Sequence, residues 1–131
     1  MQIVDNYKVL FCDVDDCLIK YPPEEGWTDE ERKRCVAFPS FFGASPLRVM
    51  PIESTIQEIK KRKEENYFLV LWSQAGSEHI TQVVTALDAI GYELSKYIDL
   101  IISKPLFIID DLPILEIFQV KHPNELEGDK L

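Results

Sequence analysis

The chain has 131 residues and carries 23 Asp and Glu against 14 Lys and Arg, a formal net charge of −9 at pH 7. That length suits one domain with a real core and is too short for two, and the negative balance argues against broad capture of nucleic acid or anionic membrane, which needs clustered cations. With 46% hydrophobic and 28% charged residues, and only 5 Gly and 8 Pro, the composition is globular rather than disordered.

The N-terminal stretch MQIVDNYKVL contains an acid and has neither a basic n-region nor a long apolar segment. No run approaches the ~20 apolar residues of a membrane span, so a cytoplasmic protein without a membrane partner is expected. Cys12, Cys17 and Cys35 are odd in number and lack metal-ligand spacing, which predicts neither a disulfide framework nor a zinc site and fits a reducing compartment.

In chain order, Tyr7–Cys12 reads as a strand apolar on both faces, as in the middle of a parallel sheet covered by helices. Behind it, FCDVDDCLI places Asp13, Asp15 and Asp16 close together. Residues 20–50 then form an insert rich in Pro and aromatics, with YPP, Trp27, FPSFFG and SP. Thr28-Asp29-Glu30-Glu31 has capping-box form and predicts a short helix over about 28–36. The insert as a whole is expected to leave the first strand beside the carboxylates, either as a packed surface loop or as a small flap, with Trp27 and Phe41-Phe42 as the aromatics placed for substrate contact.

Pro51–Glu65 carries Ile52, Ile56 and Ile59 on one stripe and ends before Asn66, which predicts an amphipathic helix with a C-terminal stop. Phe68–Trp72 is a second buried strand. After Gly76-Ser77, the spacing of Ile80, Val83, Val84, Leu87 and Ile90 predicts a helix closed by Gly91. Ile98–Ile102 and Leu106–Ile109 are both apolar enough for strands, but a parallel crossover needs about a dozen residues, so one of the two runs must be irregular. Residues 121–131 read as a frayed tail. The basic clusters Lys60-Lys61-Arg62-Lys63 and Arg32-Lys33-Arg34 read as solvated helix faces. His79 reads as a surface residue near a helix start, and with His122 as the only other histidine, Ser-His-Asp catalysis has little support. The alternation predicts one α/β domain, a single doubly wound, mainly parallel sheet flanked by helices, with no large cap domain.

Ligands of open α/β sheets bind beyond the carboxyl ends of the strands, where Asp13 begins. Residues i and i+2 of an extended chain point the same way, so Asp13 and Asp15 address one small volume while Val14 turns inward. Two anions so close call for a cation. Asp110-Asp111, after the apolar run LFII, offer further oxygen ligands at the same edge, and all-oxygen ligation suits Mg²⁺. Ser73 at a strand end can hold a phosphate oxygen, and Lys104, within SKP, adds positive charge there, with Lys96 as the alternative lysine.

Asp13-Val14-Asp15-Asp16-Cys17, then Ser73, Lys104 and Asp110-Asp111, resemble the ordered motifs of the haloacid dehalogenase superfamily over about residues 7–120. Cys17 stands where that family usually has Thr or Val. The resemblance implies a phosphohydrolase in which Asp13 is the nucleophile and forms an aspartyl-phosphate, while Asp15 protonates the leaving group and then activates water. It further implies Mg²⁺ held by Asp13, the Asp15 main-chain carbonyl and Asp110, with Asp111 a second or water-mediated ligand. Its substrate is expected to be a phosphorylated small molecule or macromolecule.

Three other readings compete. A polynucleotide-end phosphatase is disfavoured by the net charge and kept open by the two basic clusters. A non-catalytic module on the same fold would bind a phosphorylated ligand or a protein. A receiver domain is disfavoured because residues 40–66 contain no Asp to accept phosphate.

Overall fold

The computed structural model of the chain describes residues 8–38, 47–111 and 120–126. Its order is β1 (Val9–Asp13), β2 (Ile19–Lys20), α1 (Asp29–Arg32), β3 (Val36–Phe38), β4 (Leu47–Pro51), α2 (Glu53–Glu64), β5 (Phe68–Ser73), α3 (Ser77–Ala89), a 3₁₀ turn at Leu94–Lys96 and β6 (Leu100–Ser103). A second 3₁₀ turn, Pro123–Glu125, follows. The protein is α/β, with a three-stranded parallel sheet in the order β1-β5-β6 flanked by helices. Asp13 lies opposite Trp72, and Ser73 opposite Ser103, so all three strands finish at one edge.

β5 holds the centre because Leu69, Val70 and Leu71 are buried in succession, as a strand covered on both faces requires. Ile56 and Ile59 of α2, and Ile80, Val83 and Leu87 of α3, join it in the same core. α2 stops as its sequence predicts: Asn66 takes φ +69°, and the Tyr67 N–H closes back on the Arg62 carbonyl at 3.0 Å. Gly91 at φ +99° follows α3.

Several expectations need correction, and one open choice is decided. β1 is an edge strand among the described residues and not a central one, and Val9 and Phe11 are exposed on it. Leu106–Ile109 is irregular, with Leu106 94% exposed. Only Lys104 and Pro105 separate β6 from the LFII run, and Pro105 has no N–H to give a ladder, so β6 is the strand and the LFII run leaves the sheet.

The insert is more ordered than a loop. Its β3 and β4, with β2 just before it, form an antiparallel sheet in the order β2-β4-β3. Trp27 is buried there and donates from its ring N–H to the Arg48 carbonyl at 2.9 Å, so it is a packing residue and not a substrate contact. The capping box is present in full, but α1 ends at Arg32. Phe41 and Phe42 lie outside the described residues. Finally, Leu126 is buried, and the Ser54 hydroxyl donates to the Pro123 carbonyl at 3.4 Å, so of the expected frayed tail at 121–131 the part at 121–126 docks, while 127–131 lie outside the described residues.

Asp99 ties β5 to the start of β6. Its N–H donates to the Leu69 carbonyl at 2.9 Å, while its carboxylate accepts the Leu69 N–H at 2.8 Å and the Lys63 ammonium at 2.8 Å. The Leu69 amide, then Lys63, hold the Asp99 carboxyl below the usual range. A depressed folded pKa contributes stability above the unfolded value of about 3.9, and that contribution fades as pH falls through the folded value. Asp99→Asn should therefore be less stable than the native chain at pH 7, with the gap closing below about pH 4. Urea midpoints at pH 7 and pH 3 check this, and a gap of constant size contradicts it.

Candidate phosphate site at the sheet edge

The loop after β1 is built around one carbonyl. Val14, fully buried, accepts at its main-chain oxygen from the N–H groups of Cys17 (3.3 Å), Leu18 (2.8 Å) and Ile19 (3.2 Å). Leu18 and Ile19 are also fully buried, and Asp16 takes the left-handed φ of +63° that the turn requires. With 14, 18 and 19 facing inward, Asp13 and Asp15 remain about one-third exposed. The alternation thus leaves both acids on the outer side of the turn. Asp16 is a turn residue.

Each acid has its own partners. Asp13 accepts the Val14 N–H on Oδ1 at 2.9 Å, and its Oδ2 stands 3.5 Å from Lys104 Nζ. Asp15 Oδ1 accepts the Tyr21 hydroxyl at 2.6 Å and lies 2.8 Å from His79 Nε2. Burial first, and the bond to Asp15 second, push the Tyr21 phenol up, so it stays a neutral donor at ordinary pH.

Ser73 is buried at the end of β5, where its Oγ accepts the Ala75 N–H at 3.0 Å and its carbonyl accepts the Gly76 and Lys104 N–H groups. This last bond, at 2.9 Å, carries Lys104 past β6 and back toward β1. Lys104 Nζ also lies 5.7 Å from the Trp72 ring centroid, and Trp72 in turn packs on Phe11 at 4.5 Å. Trp72 is thus a half-buried member of the open face rather than a core residue. Lys96 pairs instead with Glu93 at 3.0 Å on an exposed turn.

The structure therefore brings Asp13, Asp15, Ser73 and Lys104 to one edge. Asp110 and Asp111 are exposed in irregular chain, and among the described residues no group of three or more His, Cys, Asp or Glu side chains is gathered for a metal ion. Mg²⁺ is commonly held by one or two carboxylates together with waters and phosphate oxygens, and Asp13 with Asp15 fits that smaller requirement.

The sequence reading missed His79 and Tyr21. His79 is 1% exposed, not a surface residue, because it shares the buried face of α3 with Val83 and Leu87. Its spacing of four from Val83 was the available signal. Tyr21 had none beyond its closeness in sequence to Asp15. Among the thiols, burial pushes Cys17 up, followed by the nearby Asp13 charge, which makes it a poor nucleophile.

No protein family, curated protein or solved structure matches the chain. Among the described residues, no helix is long and apolar enough to cross a membrane.

The Asp13–Lys104 pair is about one-third exposed on each side, in the range where an ion pair contributes under about 1 kcal/mol. Lys104→Met should accordingly melt within a few degrees of the native chain. A much larger drop in a thermal scan would make Lys104 a structural residue.

Proposed function

We propose that the protein is a small Mg²⁺-dependent phosphohydrolase on a doubly wound, haloacid dehalogenase-like core without a large cap. The observation that carries this reading is the approach of Lys104 Nζ to Asp13 Oδ2 at 3.5 Å across the strand ends, with Ser73 beside it. Asp13 and Lys104, 91 positions apart, meet as a carboxylate and a cation, with the Lys104 N–H held by the Ser73 carbonyl, and a nucleophile beside a cation is what transfer of a phosphoryl group requires.

In this reading a phosphate monoester places its phosphorus against Asp13 and its free oxygens toward Lys104 and the amides that open α3. A helix N-terminus favours an anion, and α3 begins four residues after Ser73. An oxygen of Asp13 attacks phosphorus and the ester bond breaks. Asp15 gives its proton to the departing alcohol, then takes one from the water that cleaves the aspartyl-phosphate. Lys104 neutralises part of the charge gathered on the phosphoryl oxygens. Mg²⁺ held by Asp13 and the Asp15 main-chain carbonyl, with waters and phosphate oxygens completing its shell, would supply further neutralisation there; Asp110 and Asp111, exposed in irregular chain, are not needed for it.

The polynucleotide-end reading loses ground. Arg62 is bound to Glu58 at 2.7 Å, Lys63 to Asp99 and Lys33 to Glu30, so three members of the basic clusters already have acidic partners. Phosphorylated small molecules and protein side chains remain the preferred substrate class. One observation favours a second reading, a phospho-ligand-binding module without turnover: Asp110 and Asp111 sit on exposed irregular chain rather than at a strand end.

A phosphate-release screen over many monoesters, with and without Mg²⁺, separates these. Turnover in Mg²⁺ that falls about 10³-fold or more in Asp13→Asn, with folding retained, supports the hydrolase. Equal turnover in that variant removes Asp13 as nucleophile. Binding of inorganic phosphate with no ester hydrolysed favours the binding module.

A further inference from the structure

Asp15 is held in an asymmetric way that the chemistry above does not require. Both side-chain contacts to it, the Tyr21 hydroxyl at 2.6 Å and His79 Nε2 at 2.8 Å, fall on the same oxygen, Oδ1. The two come from different parts of the fold. Tyr21 follows β2 at the entry of the insert, and His79 lies in the first turn of α3. His79 is almost completely buried while Asp15 is one-third exposed, so the ring fixes the carboxyl group from the protein side and leaves its other side toward solvent.

We propose that Tyr21 and His79 are positioning residues that clamp Oδ1 of Asp15 and so commit Oδ2 to proton exchange with the leaving alcohol and the attacking water. The proposal rests on the phosphohydrolase reading. A carboxyl group protonated on Oδ2 still accepts two hydrogen bonds on Oδ1, its carbonyl oxygen, and a carboxylate accepts them there as well. The same two donors therefore serve both halves of the cycle without rotation of the side chain. In the first half the Oδ2 proton passes to the alkoxide as the bond from phosphorus to the ester oxygen breaks, leaving Asp15 ionised. In the second, Oδ2 removes a proton from water as the water oxygen displaces Asp13 from phosphorus, which restores protonated Asp15, free Asp13 and inorganic phosphate.

Such a clamp matters only where the leaving group needs a proton. An alkyl phosphate such as glycerol 2-phosphate expels a strongly basic alkoxide, whereas 4-nitrophenyl phosphate expels an ion stable without protonation. kcat/KM reports the steps through phosphoryl transfer to Asp13 and so isolates the acid half. Tyr21→Phe and His79→Leu should each lower kcat/KM for the alkyl ester about tenfold or more, and for the nitrophenyl ester by less than about threefold. His79→Gln, which can return an N–H to the site, should recover much of the alkyl activity.

Equal losses on both esters would mean a structural role and overturn the clamp, as would unchanged alkyl turnover in both Tyr21→Phe and His79→Leu. Tyr21→Phe removes only a hydroxyl and keeps the experiment decisive if His79→Leu does not fold. Absence of any Asp13-dependent turnover in the native chain would instead sink the hydrolase reading, and the clamp with it. The two failures are therefore distinguishable.

Discussion

The Val14 carbonyl is the pivot of this molecule. Three successive N–H groups, from Cys17, Leu18 and Ile19, converge on it, and the chain reverses around a fully buried side chain directly at the end of β1. Because the apolar residues of the turn all face the core, the acids between them face out. Ile52 N–H, donating to the Leu18 carbonyl at 2.9 Å, then locks the turn to the entry of α2. Loss of the buried Val14 contacts would free both Asp13 and Asp15 at once, so the packing of one valine and the geometry of two carboxylates are a single problem.

The second constraint is charge. Two carboxylates two residues apart on one turn repel wherever both carry charge. The fold offsets this in part by giving each acid separate partners: Lys104 and a main-chain amide for Asp13, Tyr21 and His79 for Asp15. The donors also differ in kind. Asp13 has one oxygen beside the Lys104 ammonium, whereas the Tyr21 phenol and the buried His79 imidazole both hold one oxygen of Asp15, an arrangement that suits the two different roles proposed for them. Two residues that look alike in the sequence are thus set apart by their surroundings.

Much of this was legible beforehand, and the limits have physical causes. The stripes of α2 and α3, the stops at Asn66 and Gly91, and the run of β5 follow from local periodicity, which depends on no distant contact. The antiparallel sheet of the insert was not legible, because β2 and β3 have two and three residues and take their form from pairing with β4, whose partner residues lie 30 and 32 positions along the chain in the case of β2. The sequence leaves open which of the two late apolar runs is the irregular one, and in the fold it is Leu106–Ile109. Its apolar pattern suits a strand, but pattern does not supply a neighbour, and Pro105 with the short connection from β6 denies it that one. At the site, Asp13, Asp15, Ser73 and Lys104 could be read from their places at strand ends. His79 and Tyr21 could not be read so easily, since neither follows a strand of the parallel sheet and their role appears only through the oxygen that they share.

That shared oxygen also explains why the insert and α3 must keep their relative positions. β3 packs on α3, and β4 pairs with both β3 and β2, whose last residue, Lys20, directly precedes Tyr21. A shift of α3 would therefore carry the imidazole and the small sheet together rather than pull Tyr21 and His79 apart. Asp15, on the loop anchored by Val14, is attached to the other side through the Asp15–Ile19 bridge and the start of β2. The small sheet thus links the helix that carries the histidine to the turn that carries the carboxylate. Distances within the Tyr21–Asp15–His79 cluster depend on its three short strands, although none of those strands belongs to the parallel sheet where the site sits. A segment that its composition presents as a surface loop is, in the fold, the brace that sets the direction of one oxygen atom.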